Sequence, residues 1–284
     1  MKGSKKTYSL FFIALEDILH GVFENTIRLS LELILKNFYN YKKEVSMIML
    51  SGDLHGNAMN ELTAINSKKV ANKCKDPSSI HYHIILGDCG FLFGGAHREV
   101  DKTDKYLQSW FAEKNYITLC VFGNHENYEK ILSLPKVDIG IGEMVYRVSD
   151  KIYYLQRSKI YNIEGKSFLV LGGGLSIDKD SRIPGLDWWK EEMWSYTEQE
   201  NLFSLIKENN KFDYVVSHTA PDNFIDFLEM HLKHGLRQYK DDTVQINNMV
   251  NSMCEYKHWY CGHYHTTLTR NNFTCLYKDL AFIE

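Results

Sequence analysis

Apolar positions along the chain follow two rhythms. Between residues 8 and 40, Ile13, Ile18, Leu19, Val22, Phe23, Ile27, Leu31, Ile34, Leu35 and Phe38 recur at steps of three and four. This period predicts one or two amphipathic helices, with Gly21 as an interruption. Such a stripe packs on its own domain or pairs with a second copy, so residues 8–40 are also a candidate homodimer contact. From residue 46 onward, short apolar runs alternate with helical stretches. Strands are predicted at 47–50, 83–86 and 117–122, and helices at 57–71 and 101–113. Strand–loop–helix units of this length imply a largely parallel sheet covered by helices.

The pattern then changes to short strands at 144–148, 152–155, 159–163 and 167–171, the last two joined by a tight turn at Gly165-Lys166. Gly172-Gly173-Gly174 follows. Without a helix carrying Lys-Ser/Thr behind it, the triplet reads as a backbone crossing or bend rather than a phosphate cradle. A long loop at 176–195 holds Lys179, Arg182, Trp188 and Trp189. Thr197, with Glu200 three residues on, predicts a capping box opening a helix to about 209. A strand at 214–217 ends at His218, helices are predicted at 222–233 and 242–252, and a strand at 258–261 ends at Gly262. Short strands near 266–270, 273–277 and 279–283 finish the chain. No Gly-, Ser- or Pro-rich linker divides it. The expected organisation is a helical extension over 1–44 followed by one domain over 45–284.

Composition narrows the class. Hydrophobic residues make up 44% and charged residues 24%, ordinary for a globular protein with a full core. The net charge of −3 argues against coating nucleic acid or an anionic membrane. Six cysteines with no C-x-x-C pair point to reduced thiols and a cytoplasmic protein. Lys2, Lys5 and Lys6 ahead of Leu10-Phe11-Phe12-Ile13-Ala14-Leu15 imitate a signal peptide, but Glu16 and Asp17 cut the apolar run short. It is also too short to span a bilayer.

The chemistry lies at the strand ends. Ser51-Gly52-Asp53-Leu54-His55-Gly56-Asn57 follows the first strand, Gly87-Asp88 the second and Gly123-Asn124-His125-Glu126 the third. His218 and Gly262-His263-Tyr264-His265 follow two later ones. Ligands bind at the carboxyl ends of strands in such sheets, so these motifs belong to one site. Asp53, His55, Asp88, Asn124, His218, His263 and His265 are the candidate metal ligands. Oxygen and imidazole donors suit Mn²⁺, Fe, Zn²⁺ or Ni²⁺ better than Ca²⁺. The lack of cysteine argues against a structural zinc cage. Seven ligands exceed the needs of one ion, whereas two ions about 3.5–4 Å apart, bridged by a carboxylate and a water, would use them all. Two such ions with Asp53 and Asp88 leave a positive site that attracts a phosphate ester. Glu126 reads as the start of the next helix, favoured there by the helix dipole. His20, His81, His83, His97, His231, His234 and His258 read as structural or surface residues. Trp188 and Trp189 read as core packing rather than a base-stacking pair, and Lys179 and Arg182 as loop charges or a phosphate clamp.

Five pieces in order, D-x-H, G-D, G-N-H-E, an isolated His and G-H-x-H, make residues 47–270 resemble the calcineurin-like metallophosphoesterase superfamily. The resemblance implies a two-sheet α/β sandwich flanked by helices. It assigns Asp53, His55 and His265 to one ion, Asn124, His218 and His263 to a second, and Asp88 to the bridge. It places His125 near the leaving group, as proton donor or phosphate ligand. With the loop residue Arg182, Asn124 and His125 are the candidate substrate contacts. The implied activity is hydrolysis of a phosphomonoester or phosphodiester, a small-molecule substrate, by a metal-bridging hydroxide. A non-catalytic metal-binding scaffold and a nuclease are the alternatives. Cys89-Gly90-Phe91-Leu92-Phe93-Gly94-Gly95 follows Asp88 where the Ser/Thr protein phosphatases carry Asp-Arg-Gly. The chain therefore looks closer to small bacterial and phage members than to that branch.

Overall fold

In a computed structural model, the described residues are 46–56, 70, 72–92, 102–232 and 241–284. The helical extension and its dimer contact, most of the helix expected at 57–71, Phe93, and His20, His97 and His234 lie outside them. Residues Ser46–Glu284 form one compact unit.

The first strand, β1 (Met47–Ser51), shows how the core is partitioned. Its side chains alternate between the two faces of the sheet. Ile48 and Leu50 face the second sheet, while Met49 joins the apolar cluster on the outer side. β2 (Ile80–Ile85) and β3 (Ile117–Cys120) continue the sheet in parallel, with Met49 opposite His83 and His83 opposite Thr118. Helix α1 (Lys102–Ala112) covers the outer face, where Phe111 stacks on His83 at 6.0 Å. After α2 (Tyr128–Ser133), three short strands extend the sheet: β4 (Lys136–Val137), β5 (Val145–Arg147) and β6 (Ile152–Tyr154). The pattern analysis did not anticipate β4, since two residues carry no readable period.

The second sheet begins with the hairpin of β7 (Lys159–Ile163) and β8 (Lys166–Val170). Its turn is Glu164-Gly165, one residue earlier than expected. Both residues have positive φ, 50° and 73°, which a two-residue hairpin turn requires. Helix α3 (Tyr196–Glu208) is capped by Ser195 rather than Thr197. Ser195 and Glu198 complete the reciprocal box that Thr197 and Glu200 also spell, and the upstream pair starts the helix first. β9 (Lys211–Val216), α4 (Asp222–His231), α5 (Asp242–Met253) and β10 (Glu255–Cys261) follow. β11 (Leu268–Arg270), β12 (Phe273–Cys275) and β13 (Leu280–Ile283) close the chain.

The sheets run β13-β1-β2-β3-β6-β5-β4 and β11-β12-β10-β9-β8-β7 among the described residues. β1, β2, β3 and β6 are parallel, as are β8, β9, β10 and β12. This is the expected two-sheet α/β sandwich. Between the sheets lie Ile48, Leu50, Ile84, Leu119, Phe168, Val170 and Val216, all fully buried. Helices α3, α4 and α5 cover the outer face of the second sheet through Leu202, Phe224, Ile225 and Val250, against Trp259 and Phe273. The triple glycine is a crossing: a Cβ on Gly172 would lie 2.8 Å from the Phe122 carbonyl oxygen of the first sheet. No helix of the described residues is long and apolar enough to cross a membrane.

Candidate metal centre

Five strands, three from one sheet and two from the other, end at the same edge of the sandwich. β1 delivers Asp53 and His55, β2 delivers Asp88, β3 delivers Asn124 and His125, β9 delivers His218, and β10 delivers His263 and His265. The loops are laced to one another by main-chain bonds. Leu54 and His55 N–H both donate to the Asp88 carbonyl at 3.1 and 2.8 Å, and Gly262 N–H donates to the His218 carbonyl at 3.0 Å. The backbone is strained here. Seven non-glycine residues of the described chain have positive φ, and four of them are His55, Asp88, His263 and His265. Strain of this kind gathers where a site over-determines its residues.

Two carboxylates form the floor. Asp53 and Asp88 are 2% and 1% exposed. Asp53 Oδ1 accepts His263 N–H at 2.9 Å, and its Oδ2 lies 3.1 Å from His265 Nε2 and 3.9 Å from His55 Nε2. Asp88 Oδ1 accepts His125 N–H at 2.8 Å. Its Oδ2 lies between the two halves of the site, 3.8 Å from His55 Nε2 and 3.5 Å from His218 Nε2. Two close approaches fix the carboxylates. A Cβ on Gly123 would sit 2.0 Å from Asp88 Oδ1, and one on Gly262 would sit 2.3 Å from Asp53 Oδ1.

The imidazoles are oriented from behind. His218 Nδ1 donates to the Leu86 carbonyl at 2.8 Å, which turns Nε2 into the site. There it meets Asn124 Oδ1 at 2.9 Å and His263 Nδ1 at 3.1 Å. A ring nitrogen fixed by a carbonyl on its far side is the usual arrangement of a metal-ligating histidine. His265 stacks on Tyr277 at 4.6 Å. Asn124 is not a helix cap. Asn127 caps α2, and the Asn124 amide N–H donates to Ser176 Oγ at 3.0 Å, leaving its oxygen for the site. Ser176 in turn donates to the buried Glu192 at 2.8 Å, which also accepts Trp188 Nε1 at 2.7 Å. Sequence reasoning missed Ser176 and Glu192, which lie 52 and 68 positions beyond Asn124 and carry no motif.

Electrostatics couple the cluster. Burial alone would raise both carboxyls. His265 and the charge of His218 outweigh it at Asp53, and His218 with His125 and His55 holds Asp88 well below the usual carboxylate range. Burial disfavours a charge on His218, yet Asp88 and Asp53 lift it to about 10. Burial and the charge of His218 push His263 down to about 3.

This donor set fits divalent ions. Asp53, His55 and His265 bring ligand atoms within 4.8 Å of one another, and so do Asp53, Asp88 and His218. Asp53 Oδ2 is buried yet accepts no well-aligned hydrogen bond despite the nearby His265. His55 Nε2 and His265 Nε2 face each other at 3.0 Å. The two buried carboxylates draw positive charge onto His218, and a cation would meet the same demand. A model of the calcineurin-like phosphoesterase family matches residues 46–267. The chain belongs to that family. No curated protein matches the chain. As a calcineurin-like phosphoesterase it carries the metal-dependent phosphoesterase domain and Asp/His groups of the kind that hold divalent ions.

One side chain of this phosphoesterase departs from the sequence reading, and a second is more buried than one of its two readings required. Glu126 is not at the start of α2. It is fully buried, accepts Cys89 N–H and Tyr154 O–H, both at 2.8 Å, and is pushed up to about 7 by burial and the Asp88 charge. Arg182 is not a solvated loop charge. Its side chain is 10% exposed, pairs with Asp178 at 2.8 Å, and holds Nη2 2.9 and 3.1 Å from the two ring nitrogens of His125. One nitrogen equidistant from both ring nitrogens lies against the ring rather than making two bonds. Burial, with the Arg182 charge beside it, keeps His125 below the ordinary histidine value. Lys179 stays exposed, Trp189 packs against the first sheet's outer cluster, and His83 is core.

Proposed function

We propose that the protein hydrolyses small phosphate esters at a dinuclear centre. Asp53, His55 and His265 would hold one ion and Asn124, His218 and His263 the other, with Asp88 placed between the two sets. The observation that carries this reading is the position of Asp88 Oδ2, within 4 Å of imidazole nitrogens from both halves of the cluster. When bound, the ions supply Lewis acidity toward the phosphoryl oxygens and water. The chain's own residues do the rest. Asp53 and Asp88 offset part of the cation charge and leave the site net positive for an anionic ester. Arg182 is the phosphate clamp that the missing Asp-Arg-Gly run would otherwise supply. A guanidinium offers a planar fork to a phosphoryl group, and Asp178 holds it in place. His125, kept neutral beside Arg182, presents a ring N–H to the departing oxygen. The Ser176–Glu192 pair fixes the Asn124 oxygen toward the centre.

The test is hydrolysis of p-nitrophenyl phosphate and bis-p-nitrophenyl phosphate by EDTA-stripped protein reloaded with Mn²⁺, Zn²⁺, Ni²⁺ or Mg²⁺. Turnover that needs the metal, and that Asp88→Asn abolishes while remaining folded, is the expected result. Two bound ions per chain with no turnover of either ester would overturn the enzymatic reading.

A further inference from the structure

Beside the centre lies a cavity of about 210 Å³. One end is closed by Asn124, His263 and His265. The wall is Leu175, Ile177, Leu232 and Tyr264. The Tyr264 hydroxyl is engaged by Ala220 N–H at 3.1 Å, so the ring offers the cavity carbon surface. Leu175 is held by its N–H on Asp241 Oδ2 at 2.9 Å, and Asp241 also caps α5, so this part of the wall is formed in advance. Ile177 is 48% exposed, a branched apolar side chain at the mouth of a charged site. The charged residue that lines the cavity is Asp178; no lysine or arginine does so among the described residues.

We propose that this cavity receives an uncharged apolar substituent of the phosphate ester, and that the substrate is a small phosphodiester carrying an aryl or short alkyl group. The inference rests on the phosphoesterase reading and deepens it. A dry cavity of about 150 Å³ takes benzene, so 210 Å³ admits one ring or a short chain. Asp178 is engaged in its ion pair with Arg182 at 2.8 Å, so the apolar wall rather than charge sets what the cavity accepts. His125 and Arg182, assigned to the departing oxygen and the phosphoryl group, do not line the cavity. The group seated in it is therefore the second substituent on phosphorus, which a monoester lacks. In the reaction, the P–O bond to the departing alcohol breaks and a bond from water oxygen to phosphorus forms. One water proton ends on the alcohol and the other leaves to solvent. The product monoester keeps the apolar group.

The experiment holds the leaving group constant. Metal-loaded full-length protein is assayed with phenyl p-nitrophenyl phosphate, methyl p-nitrophenyl phosphate and p-nitrophenyl phosphate. The phenyl diester is expected to exceed the methyl diester about tenfold in kcat/KM, the low end for added apolar contact in a pocket, with the monoester lowest. Ile177→Asp, at an exposed position that does not endanger folding, and Leu232→Asp are expected to bring the phenyl-to-methyl ratio to about one. Calorimetry with the poorly reactive diphenyl and dimethyl phosphates gives a readout without turnover, and the same tenfold preference is expected. Equal turnover and equal binding of the paired diesters, or preference for the monoester, overturns the cavity assignment and leaves the phosphoesterase reading standing. A diphenyl preference in binding with no hydrolysis of any ester supports the cavity assignment and overturns the phosphoesterase reading.

Discussion

Glu126 is the sharpest point at which to test how this centre is built. It lies two residues past Asn124, and its carboxylate reaches under the neighbouring loop to accept Cys89 N–H, with Tyr154 O–H closing the other oxygen. Truncation by Glu126→Ala strands two buried donors. Each unsatisfied donor costs about 1–3 kcal/mol, so a loss of about 4 kcal/mol is expected. Glu126→Gln is the discriminating partner. Burial and the Asp88 charge already push this carboxyl up to about 7, toward the uncharged form that the amide mimics. The amide oxygen can still accept Cys89 N–H, and the amide N–H can meet a rotated Tyr154 hydroxyl. A loss of about 1 kcal/mol is expected. Urea unfolding of metal-stripped protein at pH 7, followed by tryptophan fluorescence, measures both. Because Cys89 follows Asp88, the alanine variant should also bind metal more weakly than the glutamine variant. Equal losses for Ala and Gln, or a loss under about 1 kcal/mol for Ala, would refute the argument that these two hydrogen bonds hold the loops together.

Other consequences are as direct. Gly123→Ala puts a Cβ 2.0 Å from Asp88 Oδ1, so the folded variant should hold less than one ion per chain by elemental analysis; full metal loading would show that the loop yields. Burial holds His83 at about 3 against an ordinary 6.5, so the unfolded chain binds the extra proton between those values and stability rises with pH across that window. From pH 7.5 down to pH 5 the wild type should lose about 2 kcal/mol more than His83→Asn, and identical slopes in urea titrations would contradict the assignment. Ser195→Ala should cost about 1 kcal/mol in urea unfolding and Thr197→Ala only a few tenths, the reverse order being the outcome that rejects the observed cap.

The parts of the centre that were legible in the sequence share one property: local chemistry at the end of an apolar run. Asp53, Asp88, Asn124, His218 and His263 each follow a strand whose last residues are mostly apolar and buried in the sandwich, and a parallel sheet lines such ends up. The misplaced boundaries had two equivalent local spellings. Ser195/Glu198 and Thr197/Glu200 write the same box two residues apart, and only the helix start selects one. Glu164-Gly165 and Gly165-Lys166 share the glycine, and pairing of Ile163 with Lys166 selects the first.

What was not legible is the second layer. Glu126 sits inside the G-N-H-E motif, yet its buried bonds to Cys89 and Tyr154 were not readable there; Arg182 was a candidate clamp with no visible partner, and Ser176 and Glu192 come from positions whose neighbours say nothing about the centre. The crossing at Gly172-Gly173-Gly174 is what brings the last three in. The backbone passes so close to Phe122 that a Cβ would not fit at Gly172, and Gly173 N–H is bonded to the Phe122 carbonyl at 2.7 Å. The loop that follows therefore emerges beside Asn124 and His125 rather than at the far edge of its own sheet. The triple glycine thus has a functional consequence without touching phosphate. It sets where Ser176 fixes the Asn124 oxygen, where Arg182 meets His125, and where Leu175 and Ile177 begin the apolar wall.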